Sequence, residues 1–354
     1  MLQKGSQYLR PFFNGLMFIE LREKVKKSFY GMPIIWPLLM LAKGWWYSAN
    51  HAYYYKSKKG AQNVSLRELN IEFNSTCNLR CKFCSLDFDK AREYMNAEVL
   101  GKILDELSSD SRLANIQQLN LYNGGETLLH PKRLEMFQQI GKAKEAARQA
   151  GKPFPKVLLL TNGMLLRPKL AEQILETKAL DVIQFSLDGG TPEKFEDLRV
   201  NAKWTPFYEN VKTLHQLNSA FGLPVKLKSI TIVENDFALK TDWMHPEFQE
   251  IISMMDHFEL RRLHDWGGEV ELGAAHTKNI NKKGCMLLMH QMVLLPNGDV
   301  TVCCNDLNAK GVIGNIKSRS IFDVYNSPER RVYLDKLNAG KKHELELCKN
   351  CESF

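Results

Sequence analysis

LNIEFNSTCNLRCKFC, residues 69–84, opens as a strand and closes on three cysteines. In its first half Leu69, Ile71 and Phe73 fall on one face of an extended chain and Asn70 and Glu72 on the other, because side chains alternate along a strand. Its second half has the spacing Cys77-x3-Cys81-x2-Cys84 and holds three of the chain's eight cysteines within eight residues. A strand that runs straight into clustered thiols places metal chemistry at its C-terminal end, where parallel barrels carry their sites.

The alternation recurs downstream. Runs at 118–122, 156–160, 182–186 and 225–233 read as strands, and helical spacing fills 97–107, 131–150, 168–175 and 207–217. A sixth strand is expected within 259–272, after a helix at 246–257. Strand followed by helix, repeated, predicts parallel pairing with crossover helices. The fold class is therefore α/β: a partial (β/α)6 TIM-like barrel over 67–275, then a small α+β module over 276–354. Leu119 and Leu121 oppose Asn120 and Tyr122, while Ile183, Phe185 and Leu187 oppose Gln184, Ser186 and Asp188. A closed eight-stranded barrel fills with bulky aliphatic side chains. One polar face predicts instead an open barrel with a wet hollow.

The chain has 354 residues, 44% of them hydrophobic and 25% charged, the balance of a folded protein rather than a disordered one. Its net charge of +8 is confined to residues 1–66, which hold ten Lys or Arg and two Glu; the remainder has 38 of each sign. The same segment carries 13 of the 35 aromatics, Trp36, Trp45 and Trp46 among them. Basic residues interleaved with aromatics suit a lipid headgroup interface. The alternative is aromatics packed on the main domain with lysines in water. The longest apolar run, residues 32–42, contains Pro33 and Pro37 and falls short of the roughly 20 residues that span a bilayer. No signal-peptide pattern is recognisable. The expected location is cytoplasmic with peripheral membrane contact, and nucleic acid is not an expected partner. In a reducing compartment clustered thiols hold metal or do chemistry more often than they pair.

Structural zinc sites use four donors, commonly in pairs, so a lone trio does not complete one. Three thiolates on a four-iron cluster leave one iron open to another ligand. With this trio the chain resembles the radical S-adenosylmethionine (SAM) enzymes, and the likeness extends along most of 68–354. Phe83 matches the aromatic position near the adenine. NGGE at 123–126 resembles the glycine-rich motif that receives the ammonium of the methionine moiety, with Gly124 and Gly125 allowing close backbone approach and Glu126 supplying an acceptor. TNG at 161–163, with Asn162, stands where relatives contact the ribose. SLDG at 186–189, with Ser186 and Asp188, ends the fourth strand, and Arg199 matches a basic residue that pairs with the cofactor's carboxylate. The resemblance implies a SAM-binding 4Fe-4S cluster on Cys77, Cys81 and Cys84, SAM as second cofactor, and a reducing partner such as flavodoxin or ferredoxin.

The other five cysteines fall in the last seventy residues. LLPNGDVTVCC, residues 294–304, reads as a β-hairpin on its Asn-Gly turn. The pattern Cys285, Gly298-x4-Cys303, Cys348-x2-Cys351 resembles the auxiliary-cluster module called SPASM, or its shorter form, twitch. It implies a second, auxiliary 4Fe-4S cluster on four cysteines; an all-cysteine set with a CxxC pair is also a zinc pattern, and zinc stays open here. By strand alternation Cys304 faces away from Cys303, with Val300 and Val302, as a small buried hydrophobe. A helix is expected over 321–337.

The resemblance implies hydrogen abstraction from a substrate C–H bond by a 5′-deoxyadenosyl radical. The expected substrate is a sugar-like or lipid-linked small molecule that is oxidised or epimerised. His264 and Asp265 are the acid/base candidates, with Glu72, Tyr122 and Lys228 behind them; Lys226 and Lys228 also suit an anionic substrate. The alternatives are a peptide maturase and a noncatalytic metal-stabilised binding protein, and the latter would not need the methionine-binding motifs.

Overall fold

The computed structural model describes residues 65–233, 241–262, 270 and 283–351, together with ten helical positions between 35 and 55. The chain divides into two compact units, Met1–Tyr53 and Tyr54–Phe354. In the second, six strands alternate with helices in the predicted order: β1 (Glu68–Ile71), α1 (Ala97–Ser109), β2 (Gln118–Leu121), α2 (Arg133–Gln149), β3 (Lys156–Thr161), α3 (Pro168–Glu176), β4 (Val182–Ser186), α4 (Pro192–Leu198), α5 (Trp204–Ala220), β5 (Lys226–Val233), α6 (Pro246–Ser253) and β6 (His257–Arg262). Helix starts follow local chemistry. Asn96 Oδ1 accepts the Val99 N–H at 2.8 Å to cap α1, and prolines open α3, α4 and α6.

All neighbouring pairs among these strands are parallel. The register sets Leu121, Leu159, Ile183 and Leu227 side by side, each no more than 2% exposed. That face takes the apolar stripes of the helices: Leu100 and Ile103 of α1, Phe137 and Ile140 of α2, Val211 and Leu214 of α5, all buried. Each such side chain contributes about 1.5–3 kcal/mol by leaving water.

The C-terminal module adds α7 (Met286–His290), β7 (Gln291–Leu294), β8 (Asp299–Thr301), β9 (Val312–Asn315), α8 (Ile321–Tyr325) and α9 (Pro328–Asn338). The predicted hairpin is β7–β8, with Gly298 at φ +89° in its turn, where an L side chain would be strained. The module is not a separate layer. β7 pairs in parallel with β1 (Glu68 with Gln291, Ile71 with Leu294), so one nine-stranded sheet runs β9-β8-β7-β1-β2-β3-β4-β5-β6. The structure differs from the sequence reading at several elements: α4 was not expected, and α5 begins at Trp204 rather than at 207. The helix expected over 321–337 is broken between α8 and α9, because Pro328 has no N–H to continue it and Ser327 Oγ instead caps Arg330 N at 3.2 Å. The helix expected to reach residue 257 ends at Ser253, and the sixth strand already begins at His257. Among the described residues no helix is long and apolar enough to cross a membrane.

Buried His130 ties the turn after β2 to the rest. Its Nδ1 accepts the Lys132 N–H (3.1 Å), so Nε2 carries the proton and donates to Met95 O (2.9 Å). Burial holds its pKa below the usual 6.5. A depressed folded pKa gives stability that is present above pH 6.5 and lost as pH falls through the folded value, since the unfolded chain takes up the proton first. The stability advantage of wild type over His130→Gln in urea unfolding is therefore expected to shrink between pH 7.5 and pH 5; a constant difference would contradict this assignment.

Candidate active site

Cys77, Cys81 and Cys84 lie in the loop after β1, half-buried. The loop is pinned on both sides. Residues Arg80–Cys81 pair antiparallel with Arg199–Val200 after α4, and Lys82 N–H donates to Leu198 O at 2.9 Å. Polar hydrogens point at the sulfurs: Leu79 N–H reaches Cys77 Sγ at 3.4 Å, Asn162 Nδ2 stands 3.8 Å from it, and Arg199 Nη1 is 3.8 Å from Cys81 Sγ. Burial pushes all three thiols up, Cys77 to about 12. Bare sulfurs here keep their protons, and a metal's charge is what would draw them off. Thiols ringed by N–H donors and one guanidinium fit an iron–sulfur cluster, whose sulfurs accept such bonds.

The motifs at the ends of β2, β3 and β4 converge on this loop. Glu126 N–H donates to Thr76 O (2.8 Å) and Asn74 Nδ2 to Glu126 O (2.6 Å), which stitches NGGE beneath the loop. The Glu126 carboxylate is buried; Oε1 accepts from Thr161 Oγ1 (2.8 Å) and Leu128 N–H (3.2 Å), and Oε2 from Asn162 N–H (2.9 Å). It fastens NGGE to TNG, and burial raises its pKa. Gly124 N–H donates to Glu72 Oε2 (2.8 Å) and the Asn123 side chain stands by the same carboxyl; among the described residues Glu72 Oε1, equally buried, accepts no bond at hydrogen-bond distance. Asn162 Nδ2 also donates to Asn78 Oδ1 (2.9 Å).

Arg199 and Asp188 form a buried ion pair, with Nε and Nη2 at 2.6 and 2.5 Å from Oδ2, while Asp188 Oδ1 accepts the Ile232 N–H at 2.7 Å. The sequence pattern alone faces both side chains toward the cofactor. The structure spends Asp188, wholly buried, on fixing Arg199, whose third nitrogen is the one turned to Cys81. Phe83 is buried, with the Arg199 guanidinium 5.8 Å from its ring centre. Ser186 ends β4 half-buried on the opposite face from Phe185.

Strand register aligns the polar faces. Asn70 lies beside Asn120, and Gln184 beside Lys228, which lies beside His257; Glu259 and Arg261 follow on the same face of β6. Asn120 Nδ2 and Gln291 Nε2 both donate to Asn70 Oδ1, at 2.9 and 3.0 Å, so β7 completes this wall. Burial raises the pKa of Glu68, Glu72 and Tyr122 and lowers that of Lys228, so each is driven toward its neutral form. His264 and Asp265 lie outside the described residues.

In the C-terminal module Cys285, Cys303, Cys348 and Cys351 line a single cavity with Tyr333 and Leu347. Four cysteines on one cavity are the donor set that a four-iron cluster takes when no iron is left open. Cys304 does not line this cavity, yet alternation does not set it apart: Val302, expected on its face, lines the cavity beside Cys303, and the Cys303 and Cys304 side chains meet. The reason is that β8 ends at Thr301 and the chain turns, which leaves Cys304 half-buried rather than buried, near Tyr122 and Arg261.

Sequence reasoning missed the bridge between the two thiol sets. Asn308 Oδ1 accepts the Asp87 N–H and its Nδ2 donates to Ser85 O, both at 2.8 Å. Lys90 Nζ donates to Leu307 O (2.7 Å) and Asn123 Nδ2 to Asp306 O (3.3 Å). The loop after Cys84 is thereby joined to the loop after Cys303. Asn308 gives no sequence signal beyond that of a turn residue.

The sequence matches the family profile "Radical SAM superfamily" over residues 71–234 and the profile "Iron-sulfur cluster-binding domain", SPASM, over 285–352. The S-adenosyl-L-methionine-dependent 2-deoxy-scyllo-inosamine dehydrogenase of Niallia circulans is 24% identical over 288 residues, 80% of this chain and 92% of that protein. The fold is similar to the crystal structure of BtrN in complex with AdoMet and 2-DOIA (TM-score 0.54, 19% identity, 82% of this chain and 94% of that one). It is also similar to Streptococcus suis SuiB bound to precursor peptide SuiA (TM-score 0.59, 15% identity, 86% and 75%). The chain is a member of the radical SAM superfamily, with a SAM-binding 4Fe-4S centre in its barrel domain and a SPASM-type iron–sulfur domain at its C-terminal end.

Proposed function

We propose that this enzyme abstracts hydrogen from a carbon of a small molecule rich in hydroxyl or amino groups, a sugar or cyclitol, and oxidises or epimerises it. The observation that carries this reading is the polar wall of the barrel, from Glu68, Asn70 and Glu72 through Asn120 and Tyr122 to Lys228 and Glu259. Such a wall offers paired donors and acceptors to a polyol and little apolar surface to anything else. The aminocyclitol named for the Niallia circulans relative belongs to this class of substrate. A lipid-linked member of the class is the variant that the N-terminal segment favours.

Cys77, Cys81 and Cys84 would hold the first cluster, and Cys285, Cys303, Cys348 and Cys351 a single auxiliary one. When bound, the first cluster and SAM would supply the one-electron cleavage chemistry through which hydrogen is removed from the substrate. Gly124 and Gly125 let the NGGE backbone pack against Glu72 and the backbone of Asn74 and Thr76, which sets the loop that would receive the methionine moiety, and Glu126 and Asn162 hold that loop against the ribose side. Asp188 orients Arg199 toward Cys81. Glu72, buried beside Gly124 and Asn123, is driven toward its neutral form, so it can exchange a proton with a substrate hydroxyl. Tyr122, Lys228, His264 and Asp265 are the other candidates for that role. Asn308 keeps the two cluster loops in register. A flavodoxin or ferredoxin supplies the electron.

With SAM and dithionite under anaerobic conditions, an aminocyclitol or sugar from a panel is expected to raise 5′-deoxyadenosine formation about tenfold over the substrate-free rate. The product is then two hydrogens lighter if oxidised, or carries one solvent deuterium if epimerised. Stimulation by peptides alone would overturn the reading.

A further inference from the structure

In the N-terminal unit Ile35, Leu38, Leu41 and Trp45 are helical and exposed, at 40%, 59%, 61% and 80%. Ala42, Ala49 and Ala52 are helical and exposed as well. At 3.6 residues per turn these seven positions fall within an arc of about 120°, and none is polar. Water is a poor surrounding for such a stripe, and soluble chains rarely leave a contiguous apolar surface of this kind uncovered. The alanines keep the surface low between the large side chains, so the helix can lie along a plane.

Charge decides what covers the stripe. The whole excess of +8 belongs to residues 1–66, and within it Lys43 interrupts the stripe's span while Lys56, Lys58 and Lys59 follow directly in sequence. A second copy of this chain would bring two such segments together, like charge against like. A nucleic acid would answer the lysines and leave the tryptophan and leucines in water. Only an anionic lipid surface answers both at once, with acyl chains for the stripe and headgroups for the lysines.

We propose that the helical stripe of Ile35, Leu38, Leu41, Ala42, Trp45, Ala49 and Ala52 lies in the surface of an anionic bilayer and docks the enzyme there. The barrel chemistry does not depend on this, and the test reads binding rather than turnover. The full-length, cluster-loaded protein is sedimented with phosphatidylcholine vesicles that either contain or lack phosphatidylglycerol. It is expected to pellet with the anionic vesicles and to be released by salt. The triple variant Leu38→Glu, Leu41→Glu, Trp45→Glu should lose about a hundredfold in affinity, with iron content and substrate-free SAM cleavage unchanged. Lys56→Gln, Lys58→Gln, Lys59→Gln should lose roughly tenfold or more. The proposal is overturned if wild type stays in the supernatant with both vesicle types, if neutral vesicles bind it equally well, or if the triple variant binds like wild type. A triple variant that turns a dimer into a monomer, from a wild type that ignores vesicles, would also overturn it and assign the stripe to a second copy.

Discussion

Gly125→Ala lowers 5′-deoxyadenosine formation about a hundredfold although the cysteine trio is untouched: that is the expected outcome of adding one methyl group. A Cβ at this position would lie 2.0 Å from Asn74 O and 2.8 Å from Thr76 O. Both are backbone atoms, so no rotamer change relieves the clash and the loop must move. Movement breaks Glu126 N–H to Thr76 O and Asn74 Nδ2 to Glu126 O, and with them the link from Glu126 to Thr161 and Asn162. A displacement of about 1 Å costs on the order of a hundredfold in rate where reacting groups are positioned this closely. Chromatographic assay of 5′-deoxyadenosine against iron content checks it. Near-normal cleavage with a normal cluster would show that NGGE does not position the cofactor.

Asp188→Ala is the second large effect. It leaves the Arg199 guanidinium, 6% exposed, without its partner, and strips the Ile232 N–H of its acceptor. Breaking a buried pair from one side costs about 3–5 kcal/mol, mostly the uncompensated charge. Urea unfolding of the purified chain measures this. Replacing both partners, Asp188→Leu with Arg199→Met, should recover most of the stability, because two apolar groups of similar volume leave no buried charge. The double variant should nonetheless bind SAM poorly, since nothing cationic then stands beside Cys81. If the single variant is as stable as wild type, the pair is not what holds this corner of the barrel.

The difference between what the sequence disclosed and what it hid follows the range of the interactions. Strands β1 to β6 and helices α1, α2, α3, α5 and α6 were legible because alternation and 3.6-residue spacing are local; α4, only seven residues long, is too short to show that spacing. The motif residues were legible because each follows its strand directly. Pairing of β7 with β1 was not, since Glu68 and Gln291 are joined only by the folded chain. The Asp188–Arg199 pair was hidden differently: both residues were noticed, but each was given to the cofactor when they first satisfy one another. Cys304 shows where a local rule stops. Alternation set it on the face opposite Cys303, but the strand ends at Thr301, and past that point the two side chains meet and Val302 turns to the Cys303 cavity. The bridge through Asn308 joins positions more than two hundred residues apart, with nothing in its flanking sequence to mark a partner.

The most direct test of the central claim, a first cluster with one open position held by Cys77, Cys81 and Cys84, is electron paramagnetic resonance. The sample is the Cys285→Ala, Cys348→Ala variant, reduced under anaerobic conditions, before and after addition of SAM. The account predicts the signal of one reduced four-iron cluster, whose g-values shift on addition of SAM, and loss of both the signal and its shift when Cys81→Ala is added. A cluster signal that SAM leaves unchanged, or one that survives without Cys81, would contradict it.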